Sequence, residues 1–167
     1  CAEGSYETRI ELWDGQFHAA CGSLLKAGQE MPAALLLMHH PFEWFSRKTK
    51  ERFNTLVYPP QRFLACLHGH MHEASTTGIS GAGGQTRYFI QAPSLFGLEK
   101  YGTSEETRRM GYAWGELRAG DEIRTWPQEY LARGNGAGSF RLDHKFHGTE
   151  AEGVSVRPAA AVMPGQQ

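Results

Sequence analysis

Two short apolar runs, each ending in a cluster of histidines, constrain this chain more than any other feature. Ala33-Ala-Leu-Leu-Leu-Met38 runs into His39-His40-Pro41, and Phe63-Leu-Ala-Cys-Leu67 runs into His68-Gly-His-Met-His72. Each run is too short for a helix of its own and has no polar position, so it reads as a strand buried on both faces, as in parallel sheets. Pro41 ends the first, because proline cannot continue a ladder. Between them the spacing predicts a helix over about 43–57. Phe45, Phe53, Leu56 and Val57 share one face, Arg47, Lys48, Lys50, Glu51 and Arg52 point to solvent, and Pro59-Pro60 stops it. Upstream, Phe17, Ala20, Cys21, Leu24 and Leu25 mark an amphipathic helix over about 15–28, closed by Gly28. Helix, strand, helix, strand is an α/β order with parallel strands.

After the second histidine cluster the pattern changes. Segments near 75–80, 86–92, 111–118 and 122–130 read as strands, the last two as a hairpin about Ala119-Gly120-Asp121. The polar stretch 97–110 reads as loop, with one short helix near Ser104–Arg109. From Gly148 the residues are small and polar, with Pro158 and Pro164, so the domain is expected over 1–147 and a flexible tail or linker over 148–167.

Charge and cysteine usage narrow the function classes. A formal net charge of -1 gives no bulk attraction for nucleic acid, which enters only as a substrate. The apolar run 33–38 is far too short to span a bilayer, and no signal-peptide pattern opens the chain. The three cysteines, Cys1, Cys21 and Cys66, are odd in number and form no C-x-x-C, the pattern of reduced thiols in a cytoplasmic protein.

Five of the eight histidines stand at the C-terminal ends of the two apolar strands. Ligands bind there in open α/β sheets, and neutral imidazole is the commonest metal ligand. His70 and His72 are two apart, and Gly69 is expected to let the backbone turn closely enough for both rings to face one cavity. His39 would enter from the neighbouring strand. A hydrolytic metal pair needs such ligands to lower the pKa of a water and to neutralise phosphate charge. His18, His144 and His147 stand alone and read as surface or satisfied core residues.

Ala34-Leu-Leu-Leu-Met-His-His-Pro41 resembles the strand-plus-His-x-Pro motif of calcineurin-like metallophosphoesterases, and Leu67-His-Gly-His-Met-His72 resembles their Gly-His-x-His motif. A looser likeness runs through Phe89-Ile-Gln-Ala-Pro-Ser94, Gly111-Tyr112 and Ile123-Arg-Thr-Trp-Pro127 to a bacterial subset, which also carries a tryptophan after His-His-Pro, matched by Trp44. The likeness spans about 15–145. It implies His39 and His70 on one metal and His72 on the other. His40 and His68 take supporting or substrate-facing roles. It further implies two transition metals (Mn, Fe or Zn), a phosphate-ester substrate and a four-layer α/β/β/α sandwich, of which this chain is the C-terminal half.

The family's Asp-x-His, Gly-Asp-x-x-Asp and Gly-Asn-His-Asp/Glu motifs have no counterpart. Gly120-Asp121 is followed by Glu-Ile-Arg, and Asn135 by Gly136. Those motifs belong before His39, where only 38 residues stand. The bridging Asp and the His that serves the leaving group are therefore expected to be missing, with the N-terminal half of the domain as their source. The parent is then a phosphoesterase and this chain alone inert. The competing expectation is a non-catalytic metal-binding or regulatory module of a larger assembly.

Overall fold

The computed structural model describes residues 8–22, 34–60, 62–71, 73–81, 86–95, 97–100, 106–118, 122–133, 137–143 and 153–156. Helices and sheets are mixed, in agreement with the α/β reading. Strands β1 (Leu35–Met38), β2 (Ala65–His68), β3 (Ser75–Ser80) and β4 (Thr86–Gln91) form one sheet in the order β1-β2-β4-β3. β1, β2 and β4 are parallel, and β3 pairs antiparallel with β4. A second sheet is built on β8 (Glu122–Ala132), which pairs with β7 (Gly111–Arg118), β9 (Gly138–Leu142) and β10 (Val154–Val156), all antiparallel. The hairpin expected from 111–118 and 122–130 is thus present.

Alternation along β2 and β4 divides the core. Cys66 and Phe89 face the helices, within a cluster that includes Phe17, Phe42, Phe45, Phe53, Val57, Tyr58 and Phe63. Ala65 and Ile90 face the second sheet and meet Ile123 and Val156 there. Burial pushes the Cys66 thiol up to about 12, so it behaves as a small apolar side chain. Among the described residues, no helix is long and apolar enough to cross a membrane.

Several expectations are corrected. β1 is not buried on both faces. Leu36 and Met38 pack against the helix-side cluster, but Leu35 is 42% and Leu37 73% exposed. β1 ends the sheet with only β2 beside it among the described residues, and its other face is only partly covered: Leu35 lines a groove shared with Leu117 and Ile123 of the second sheet. The helix expected over 43–57 is three pieces: a 3-10 turn Phe42–Trp44, helix α2 (Arg47–Arg52) and a π-helical turn Phe53–Val57. Ser46 starts α2 by accepting from the Thr49 N–H at 3.2 Å, and an N-cap residue has extended backbone that ends any preceding helix. The upstream helix, α1, spans Asp14–Cys21, and residues 23–28 lie outside the described set. Phe17 is buried there but Ala20 is exposed.

The stretch 97–110 is not loop and short helix. Within it, β5 (Gly97–Lys100) and β6 (Glu106–Arg109) pair antiparallel, because a ladder partner outweighs the local helical preference of Glu106 to Arg109. Val154–Val156, inside the expected linker, adds to β8 and buries Val156.

Candidate metal centre

The parallel pairing of β1 with β2 sets the site. Met38 lies opposite His68, so the residues that follow each strand emerge side by side at one sheet edge. The Gly69 N–H donates to the His39 carbonyl at 3.2 Å and holds the two strand ends together. His39 Nε2 and His70 Nδ1 are then hydrogen-bonded, 3.0 Å apart, one ring nitrogen donating and the other accepting. His40 completes a group in which one ring nitrogen from each of the three histidines lies within 4.8 Å of the others. The ring centroids are 4.7 Å apart for His39 and His40, and 5.0 Å for each pair involving His70.

Trp44 backs this cluster. Its indole meets His70 edge-on at 4.6 Å and stacks on His40 at 6.0 Å, and Pro41 beside it is buried. The wall keeps water from one side of the imidazoles. His39 is exposed, so the opposite side is open. His40 is held below its ordinary pKa, first by partial burial and then by repulsion from His39 and His70. A neutral imidazole is the metal-ligating form.

The close turn falls on a different residue from the one expected. Gly69 has no positive φ, and a Cβ there would meet nothing within 4 Å. His70 instead holds φ at 76°, in the left-handed region where a non-glycine residue is strained. That twist swings the His70 ring back toward His39.

Of the histidines read as ligands, His39 and His70 meet, and His72 lies outside the described residues. Of the two given supporting roles, His40 stands among the ligand atoms and His68 does not. His68 is 8% exposed, and its Nδ1 has no hydrogen-bond partner among the described residues. Its pKa is lowered chiefly by burial, against the opposing pull of the Gly69 backbone and Glu43. The sequence signal for His40 was its position: it follows His39 directly at a strand end, ahead of a proline.

The donor set fits a metal. Zn–N bonds are about 2.0–2.1 Å, so two nitrogens 3.0 Å apart would subtend roughly 95° at a shared ion. No known family, curated protein or solved structure matches the chain.

Proposed function

We propose that this chain is the C-terminal half of a metal-dependent phosphate-ester hydrolase of the calcineurin-like type, with His39, His70 and His72 as metal ligands. The observation that carries the reading is the 3.0 Å approach of His39 Nε2 to His70 Nδ1, from the ends of neighbouring parallel strands. This is the juxtaposition that the two histidine motifs imply. Transition metals held there would act as Lewis acids toward water and phosphate oxygens. The chain's own residues supply the rest: His39 Nε2 and His70 Nδ1, which share a hydrogen bond, would hold the ion once that proton is lost, and Trp44 packs edge-on against His70.

The four-layer sandwich belongs to the same proposal. Support comes from β1, which ends its sheet and leaves Leu35 and Leu37 exposed where an N-terminal half would pack. A second reading, metal binding without hydrolysis, is favoured by the donor set. Among the described residues, the group of possible ligands is all imidazole and contains no carboxylate to bridge two dications.

The test compares this chain with a version joined to the N-terminal half, each titrated with Mn(II) and given a chromogenic phosphodiester. Turnover is expected only from the joined protein, and His70→Ala should abolish it. An inert joined protein would refute the hydrolase reading. Equal turnover by the short chain would refute the need for a second half.

A further inference from the structure

We infer that His39, His40 and His70 together form a site for a single borderline transition-metal ion, with His40 as the third ligand and an open position toward solvent. This site shares two histidines with the hydrolase reading. It differs in giving His40 a bond to metal and in needing neither a metal pair nor a phosphate ester.

The geometry supports three ligands. His39 Nε2 and His70 Nδ1 are hydrogen-bonded at 3.0 Å, a separation that two ligands on one ion also adopt once the shared proton is displaced. One His40 nitrogen lies within 4.8 Å of both. Tetrahedral ligands at about 2.05 Å stand roughly 3.3 Å apart, so His40 must close by at most about 1.5 Å, a side-chain rotation. His40 packs beside Trp44, centroid to centroid at 6.0 Å with ring planes 29° apart.

The chemistry selects the metal. An all-imidazole set suits Zn(II), Cu(II), Ni(II) or Fe(II), while carboxylate, carbonyl and water ligands suit Mg, Ca and Mn. Three protein ligands with a fourth position left open is the format of catalytic zinc, whereas structural zinc is closed by four. The exposure of His39 leaves that fourth position to solvent.

Trp44 makes the site readable. Its ring centroid is 4.6 Å from that of His70, close enough for bound Cu(II) to quench its emission. Trp13, Trp114 and Trp126 also emit, so the signal is assigned with Trp44→Phe.

The experiment titrates the full chain, stripped with a chelator, with Zn(II) by calorimetry and with Cu(II) by fluorescence. One ion per chain is expected, with quenching much reduced in Trp44→Phe. His39→Ala, His70→Ala and His40→Phe should each weaken binding by at least about tenfold, the lower bound for losing even an outer-shell partner of a metal. His40→Phe keeps a ring against Trp44, and an unchanged urea midpoint in chelator shows that it folds. His72→Ala should leave stoichiometry and affinity intact. Two ions per chain, full affinity in His40→Phe, or equal damage from His72→Ala would each overturn the proposal. These readouts contain no phosphate ester, so failure of the hydrolase reading leaves them unaffected.

Discussion

His70 is strained where it stands. Its φ of 76° costs an L-residue roughly 1–2 kcal/mol, which the fold tolerates in exchange for aiming the ring at His39. Glycine would remove the strain but lose more unfolded-chain entropy, about 0.5–1 kcal/mol. His70→Gly is therefore expected to hold or slightly raise the urea midpoint of the metal-free chain while abolishing metal binding. A clear drop in midpoint would mean that the ring contributes to folding. Gly69→Ala, by contrast, should stay within about 0.5 kcal/mol of the parent, since a Cβ there meets nothing within 4 Å. The same cluster predicts a pH response. His40 and His68 both sit below the ordinary value of 6.5, chiefly because burial disfavours the imidazolium. Folded, they bind fewer protons than the unfolded chain does. Their contribution to stability is full above pH 6.5 and is lost as pH falls below it toward their folded values. Urea midpoints taken in chelator should decline from about pH 7 to about pH 5, and a flat profile would contradict the neutral imidazoles.

At the scale of elements, the second sheet depends on one glycine. Gly153 holds φ at 58°, and a Cβ there would lie 2.6 Å from Trp126 Cε2. Trp126 is stacked on its other side by Trp114, centroid to centroid at 4.1 Å with ring planes 9° apart. The indole cannot retreat without breaking that pair. Gly153→Ala should lower stability by more than about 1 kcal/mol and loosen β10, read as faster amide exchange at Val154 to Val156. The partly buried hydrogen bond from Ser155 Oγ to Glu122 Oε1, 2.6 Å, would loosen with it. On the helical side, Ser46→Ala should cost about 1 kcal/mol in urea unfolding, because the first turn of α2 loses its cap. No change would place the start of α2 under tertiary control alone.

For the whole molecule, the decisive feature is what stays uncovered. A groove of about 350 Å³ runs between the sheets, lined by Leu35, Leu67, Ile90, Ala113, Leu117 and Ile123. Leu37, on the same strand as Leu35, is 73% exposed, and Leu117 is 51% exposed. Exposed apolar strand ends of this kind drive association. The isolated chain should self-associate and bind an apolar dye, and Leu37→Glu should reduce both without lowering the urea midpoint. A monodisperse parent with no dye binding would show that this face needs no partner.

Apolar run, histidine cluster and proline, repeated across one helical segment, were enough to place two parallel strands and to bring His39 beside His70. Strand type follows from apolar patterning, and the end of a strand is set by residues that cannot continue it, both of which are local properties. The strands expected near 75–80, 86–92, 111–118 and 122–130 were legible from alternation and the turn residues between them, and they match β3, β4, β7 and β8 to within two residues. What escaped the sequence was decided by partners. β5, β6 and β10 exist because a neighbouring strand takes up their backbone groups, and nothing in their own residues announces that neighbour. The left-handed turn fell on His70 although Gly69 had the conformational freedom, so local preference did not decide it. His40 became a neighbour of the ligand atoms through the bend after β1, and the outer face of β1 stayed partly open because the second sheet meets it across a groove at Leu35 and leaves Leu37 exposed. Local chemistry chose the elements, but contacts between residues far apart in the chain chose which histidines meet.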